Sequence, residues 1–94
     1  MPKLDVHCRS AGATWDCAVS IDDGRGAPSS HSVTVAAGDL LRLAPGADSP
    51  DDLVRRSFEF LLAREPKESI LRNFQLPTIG RYFPEYEREI RGRS

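Results

Sequence analysis

The side chains best suited to binding a metal lie in the N-terminal third of the sequence: His7, Cys8, Cys17 and His31. A tetrahedral zinc site needs about four convergent ligands. Alternation along a strand places His7 on the opposite face from Cys8, which leaves at most three ligands together. Small buried thiols and one half-buried histidine explain this set more simply, so we predict no metal site and no cofactor.

Residues for catalysis do not form a complete set either. A nucleophile needs a base within hydrogen-bond reach, and both histidines lie near the predicted sheet. The adjacent Asp22 and Asp23 on a glycine-rich loop are typical of a solvated turn. The Gly24-Arg25-Gly26 stretch lacks the lysine and the helix start of a phosphate-binding loop. We therefore predict that the protein is not an enzyme.

Arginine and tyrosine residues near the C-terminus are the remaining candidates for a site. Interface hot spots favour both residue types, and Arg81, Tyr82, Tyr86 and Arg88 lie close together in the sequence. The two tyrosines also share a helical face with three apolar residues, which are Ile79, Phe83 and Ile90. Two interpretations follow: an exposed partner-binding patch, or core tyrosines flanked by solvated arginines.

The N-terminal segment predicts a β-hairpin with strands at 3–9 and 14–21, because apolar and polar residues alternate in both. A two-residue type II′ turn at Gly12-Ala13 fixes the register. The resulting cross-strand pairs are Cys8 with Cys17, Val6 with Val19, Leu4 with Ile21, and Arg9 with Asp16. Slipping by one residue would turn the apolar side chains to the other face, so the agreement supports this register.

A third strand is predicted at 31–35, which completes a three-stranded antiparallel sheet with one apolar face. Residues 22–30, rich in Asp, Gly and Ser, predict a mobile loop. The leucines at 40–43 are compatible with either a short helical turn or an extension of the strand.

Three helices are predicted to cover the sheet, at 50–63, 66–73 and 78–91. Ser49 is the expected N-cap of the first, with Pro50 at its first position. Its buried stripe comprises Leu53, Val54, Ser57, Phe58, Leu61 and Leu62, with Phe60 outside it. Pro84 should kink or restart the last helix. The sequence thus predicts a two-layer α+β fold and a single domain over 1–94.

Two resemblances follow from these segments. The stretches LVRRSFEFLLAREPKESIL and FQLPTIGRYFPEYEREI resemble a family of small uncharacterised proteins of high-GC bacteria, which implies no activity. Residues 31–64 are similar to a ribbon-helix-helix module in the order of their elements, which are a strand, a leucine-bearing segment, a turn and a capped helix. That resemblance implies a dimer whose strand reads DNA through Ser32 and Thr34.

Composition limits the remaining function classes. The 94 residues carry a formal net charge of −1, so no overall basic field attracts nucleic acid or an anionic membrane. The N-terminus has no apolar run of signal-peptide length, which predicts a cytoplasmic protein with reduced thiols. A cross-strand disulfide between Cys8 and Cys17 stays open as the alternative. We expect a non-enzymatic protein-interaction or regulatory module that binds another protein, with homodimerisation open. The alternative is a dimeric DNA-binding regulator of ribbon-helix-helix type.

Overall fold

Alternating apolar residues pair the first two strands, β1 (Lys3–Ala11) and β2 (Thr14–Asp22), into the predicted hairpin. The computed structural model describes residues 3–91. Its β1–β2 register confirms all four predicted pairs, from Leu4 with Ile21 to Arg9 with Asp16. Gly12 has φ of 71°, and no non-glycine residue described has positive φ, which is the sign pattern of the predicted type II′ turn.

Within residues 3–91 the sheet has four strands rather than three. Strand β3 (Ser29–Ala36) pairs antiparallel with β2, and the short β4 (Asn73–Gln75) pairs parallel with β3. The strand order is β1-β2-β3-β4. Three residues are too few to show alternation, so no periodicity in the sequence marks β4. Its position is fixed by pairing with a strand about 40 residues earlier in the chain.

In the described part of the chain, four α-helices follow β3: α1 (Ala37–Leu43), α2 (Asp51–Leu62), α3 (Thr78–Tyr82) and α4 (Tyr86–Arg91). The leucine segment is therefore helical. The prediction of a helix at 66–73 was wrong. That stretch contains one 3-10 turn, Lys67–Ser69, and then enters β4. The predicted last helix is divided around Pro84, which agrees with a restart there.

The helix α2 begins one residue later than predicted. Pro50 rather than Ser49 is its N-cap, and no side chain bonds to the exposed N–H groups of the first turn. Asp51 and Asp52 remain at the positive end of the helix dipole, as predicted.

The core lies between the inner sheet face and the helices. The sheet contributes its alternating apolar residues, and α2 contributes most of the predicted stripe: Val19, Ile21, Val33, Val35, Leu53, Val54, Phe58 and Leu61. Phe60 is also buried, although it lies outside that stripe. Its ring packs edge-on against Phe83 at 5.8 Å and Tyr86 at 5.3 Å between centroids. The helices α3 and α4 therefore cover a second face of α2.

Cys8 and Cys17 are joined by a disulfide bond across the hairpin. The prediction of reduced thiols is therefore wrong for this structure. The pairing follows from the register that the sequence predicted, which places the two cysteines opposite each other with Cα atoms 4.0 Å apart.

Lys67 anchors the loop between β2 and β3. Its side chain is buried, and Nζ lies 2.8 Å from Asp23 Oδ1, 2.8 Å from the Arg25 carbonyl oxygen and 3.2 Å from Glu68 Oε2. The hydrogen bond from Lys67 lowers the pKa of Asp23, and the same bond raises the pKa of Lys67. The predicted mobile loop is thus tied to the start of the 3-10 turn.

Candidate functional site

An apolar groove lies beside the short elements of the C-terminal half. The end of α2, the segment 65–71, β4 and α3 enclose a cavity of about 340 Å³ that opens to solvent. This volume falls in the range of small-ligand pockets, about 300–1,000 Å³. We call it the C-terminal groove, and it is lined chiefly by Leu61, Ile70, Leu71, Phe74, Ile79 and Tyr82.

The groove has a buried floor and an exposed apolar rim. Leu61, Ile70 and Ile79 of the floor are buried in the core. At the rim, Leu71 keeps 46% of its surface exposed and Tyr82 keeps 67%. Large apolar side chains exposed next to a cavity mark interaction surfaces more often than scattered single ones do.

Two prolines explain why the chain opens here rather than closing over itself. Pro66 follows the end of α2, cannot donate a backbone hydrogen bond, and starts the single 3-10 turn. Pro77 sets the start of the five-residue α3. The short elements here, a three-residue 3-10 turn, a three-residue strand and a five-residue helix, leave Leu71 and Tyr82 exposed at the rim.

Polar groups are sparse in the groove. Glu65 is the one charged side chain in the lining, and Ser69 and Thr78 supply hydroxyl groups. Arg81 is exposed on α3 next to Tyr82 but does not line the cavity. The groove is therefore suited to apolar side chains with few polar contacts.

Tyr86 does not belong to an exposed patch. It is 2% exposed, and its hydroxyl lies 2.7 Å from Ser57 Oγ. Ser57 Oγ donates to the Leu53 carbonyl oxygen at 2.7 Å, so the Tyr86 hydroxyl is the donor to Ser57. Burial raises the pKa of Tyr86 to about 12. The core interpretation holds for Tyr86, whereas Tyr82 is on the surface.

Arg64 connects the end of α2 to α4 and was not singled out by the sequence. Its guanidinium carbon lies 3.6 Å from the centroid of the Phe60 ring, and its nitrogens lie 3.2 Å from Glu85 and 3.0 Å from Glu89. The spacing of 21 and 25 residues to its acidic partners hides this arrangement from any local pattern. Arg64 thereby holds α4 against the helix that forms one wall of the groove.

The four predicted partner-binding residues are not brought together. Tyr82 lines the C-terminal groove, and Arg81 is exposed beside it. Arg88 instead lies on α4, in a separate shallow depression with Pro84 and Arg91. The sequence missed Leu71 and Ile70, whose placement in a predicted helix at 66–73 concealed that they line a groove.

Ser32 and Thr34 lie on the outer sheet face, on the side away from the helices. However, β3 pairs with β2 on one edge and with β4 on the other. The strand pairing between two copies that a ribbon-helix-helix module requires would displace one of these neighbours.

His31 has a structural role in this fold. It is 3% exposed, with Nδ1 2.8 Å from the Leu71 carbonyl oxygen and Nε2 2.9 Å from Ser29 Oγ. Because a carbonyl only accepts, Nδ1 donates in that bond and fixes the segment before β4. Within residues 3–91, no three His, Cys, Asp or Glu side chains are grouped so as to hold a metal.

Comparisons with protein-family models, curated proteins and solved structures find no match to this chain. None of the helices within residues 3–91 is long and apolar enough to cross a membrane. Function must therefore be inferred from the geometry of the groove and the surfaces around it.

Proposed function

We propose that the protein is a non-enzymatic interaction module of the cytoplasm that binds another protein through the C-terminal groove. One observation carries the proposal: an open apolar cavity with a buried floor has Leu71 and Tyr82 exposed at its rim. Covering these two side chains would remove apolar surface from water, at about 25 cal/mol per Å² buried.

The partner that fits is a protein segment with two or three apolar side chains on one face. The cavity of about 340 Å³ has room for such side chains. The phenol of Tyr82 supplies a rigid, amphipathic contact with a hydroxyl for hydrogen bonding. Arg81, exposed beside the rim, would favour a carboxylate in the partner next to its apolar residues.

DNA binding by Ser32 and Thr34 stays a prediction, and the pairing of β3 on both edges does not favour it. Its distinguishing property is salt dependence, because release of counterions makes DNA affinity fall steeply as salt rises. Burial of apolar surface depends far less on salt. The two functions can therefore be separated in one experiment.

The test places a photo-crosslinking amino acid at position 82 in the native host and identifies the crosslinked proteins. The matched control carries the same group in place of Leu41, which is exposed on α1 to a similar degree, 71%, and does not line the groove. Captures are repeated with nuclease and at low and high salt. We expect one protein that crosslinks from position 82, does not crosslink from position 41, and withstands nuclease.

Binding is then measured with that protein purified, using Leu71→Asp and Leu41→Asp. We expect Leu71→Asp to weaken binding by about thirtyfold or more, because hot-spot residues contribute about 2 kcal/mol or more, and Leu41→Asp to have little effect. Equal loss in both variants, or equal crosslinking from both positions, would refute the groove as the binding surface. Recovery of nucleic acid lost at high salt would favour the DNA-binding alternative.

The cytoplasmic assignment has its own test, because the disulfide is more typical of oxidising compartments. Alkylation of free thiols in intact cells, followed by mass analysis, should find Cys8 and Cys17 alkylated if the protein resides in the cytoplasm. Full protection from alkylation would move the proposed location to an oxidising compartment.

A further inference from the structure

We propose that two copies of this chain pair through their β1 strands, in an antiparallel register with the two-fold axis at His7. The strand β1 lies at the edge of the sheet, and within residues 3–91 no other strand pairs with its outer side. Nine residues make it a long edge by the standards of globular proteins. Such an edge is a template for another strand unless it is covered.

The hydrogen-bonding pattern of the hairpin identifies which backbone groups face outward. A two-residue turn is closed by a hydrogen-bonded pair, here Ala11 with Thr14, and hydrogen-bonded pairs alternate along an antiparallel ladder. Residues at odd positions of β1 therefore bond to β2. The N–H and C=O groups of Val6, Cys8 and Ser10 point away from the sheet.

Two contacts agree with this assignment. The Cα atoms of Cys8 and Cys17 are 4.0 Å apart, the close spacing of a pair without backbone bonds. Arg55 Nη1 donates to the Leu4 carbonyl oxygen at 3.0 Å, so that carbonyl also faces away from β2. Arg55 covers the start of the edge, and within residues 3–91 no strand pairs with the outward backbone groups from Val6 to Ser10.

The charges on β1 favour a second copy of this chain as the partner and favour one register of pairing. Asp5, His7 and Arg9 are exposed on the outer sheet face, and neither Asp5 nor Arg9 forms an ion pair within the described part of the chain. With the axis at His7, Asp5 of each copy lies opposite Arg9 of the second copy. Symmetry gives this ion pair twice, at non-hydrogen-bonded positions, where side chains are closest.

Other registers that keep the apolar faces together either bring like charges face to face or lose the ion pair. An axis at Val6 places Lys3 opposite Arg9 of the second copy, and an axis at Asp5 or Arg9 places that residue opposite itself. An axis at Cys8 places Arg9 opposite His7 and Asp5 opposite Ala11, so it forms no ion pair. The register at His7 also forms about four backbone hydrogen bonds, because Val6 and Cys8 make two hydrogen-bonded pairs with their mates. The strand is complementary to itself in this register.

Pairing of this kind would join two sheets into one of eight strands, with both helical layers on the same side. The C-terminal groove does not include β1, so it remains open in both copies. An interface of two strands is small, and small interfaces bind weakly. We therefore expect a monomer–dimer equilibrium that depends on protein concentration.

Charge reversal tests the pairing by sedimentation equilibrium on the full chain. In a dimer of Asp5→Arg, the new arginine of each copy lies opposite Arg9 of the second copy. In a dimer of Arg9→Asp, the new carboxylate of each copy lies opposite Asp5 of the second copy. Each variant alone should dimerise at least about tenfold more weakly than the wild type, and an equimolar mixture should recover dimers. Circular dichroism checks that each variant folds, since Arg9 also faces Asp16 within the hairpin.

Cysteine crosslinking tests the register. His7→Cys places a thiol opposite its own copy across the axis, at a Cα separation suited to a disulfide. Lys3→Cys is the matched control, because Lys3 is exposed on the same face of β1, takes no part in the proposed ion pair, and would lie eight residues from its copy, roughly 26 Å along the strand. The introduced cysteine is the free thiol in each variant, since Cys8 and Cys17 are bonded to each other.

With diamide as oxidant, we expect crosslinked dimer from His7→Cys and little from Lys3→Cys. Equal crosslinking of the two would indicate random collision and overturn the register. A wild type that remains monomeric at every concentration, or a mixture of charge variants that fails to associate, would overturn the pairing itself. Tyr82→Ala should leave all these results unchanged, which separates this proposal from the groove.

Discussion

The buried hydrogen bond between Tyr86 and Ser57 predicts that the protein loses stability at alkaline pH. Tyr86 is 2% exposed, and burial raises its pKa from 10.0 to about 12 in the folded protein. Because the folded-state pKa exceeds the unfolded one, folding favours the neutral phenol. The full contribution is present below about pH 10 and is lost as pH rises through about 12.

The size of this effect follows from the shift. A displacement from 10.0 to about 12 corresponds to roughly 3 kcal/mol, since each pKa unit is worth about 1.4 kcal/mol. At about pH 11 the expected loss is roughly 1 kcal/mol, because only the unfolded phenol is then largely ionised. A typical domain is stable by about 5–15 kcal/mol, so a loss of this size is measurable.

Urea unfolding of the wild type and of Tyr86→Phe, from about pH 8 to pH 11, measures the contribution. At neutral pH, Tyr86→Phe should lose about 1 kcal/mol, the net value of one hydrogen bond. Its stability should then fall less steeply with pH than that of the wild type. Other groups that titrate in this range are common to both proteins and cancel in the difference.

Ser57→Ala provides a second, independent comparison. It leaves the Tyr86 hydroxyl buried without its partner, so it should cost about 1–3 kcal/mol, more than Tyr86→Phe. The double variant should cost less than the sum of the two single ones, because the unpaired hydroxyl is then gone. Parallel pH curves for the wild type and Tyr86→Phe, or additive losses in the double variant, would refute the reasoning.

Three further predictions concern contacts that join distant segments. Arg64→Lys should cost about 1 kcal/mol in urea unfolding, because lysine loses the planar stacking and cannot reach both acidic partners; an unchanged midpoint would contradict this. Reducing the Cys8–Cys17 bond should lower stability by about 2–3 kcal/mol, as expected for closure of a short loop, and should have no effect on a variant with both cysteines replaced by alanine. Lys67→Met should speed amide exchange in residues 23–28 with little change in α2. The pKa of Lys67 is raised and that of Asp23 is lowered in the folded protein. The stabilisation from Lys67 is therefore lost as pH rises above about 10.5, and that from Asp23 is lost as pH falls below about 3.8. Uniform protection of the loop in Lys67→Met at neutral pH would exclude the anchor.

Much of the N-terminal half could be predicted from the sequence because its contacts are local. The turn at Gly12-Ala13 fixes the register of β1 and β2, and period-two alternation assigns every side chain to a face. The same register placed Cys8 opposite Cys17, although the sequence left open whether the two would bond. The helix α2 was predicted to within a residue at each end, because proline, two acids and an apolar stripe agree over three turns.

The tertiary structure alone decided the C-terminal half and the candidate site. Strand β4 is held in place by distant contacts: its three residues pair with β3, and His31 donates to the Leu71 carbonyl oxygen 40 residues away. Without β4, the segment 66–73 was predicted as a helix and Leu71 was not expected at the rim of a groove. Tyr82 and Tyr86 share the same helical spacing, yet the break at Pro84 leaves one exposed and buries the other against Ser57. Spacing assigns a residue to a face, whereas only the packing of distant segments decides whether that face is covered.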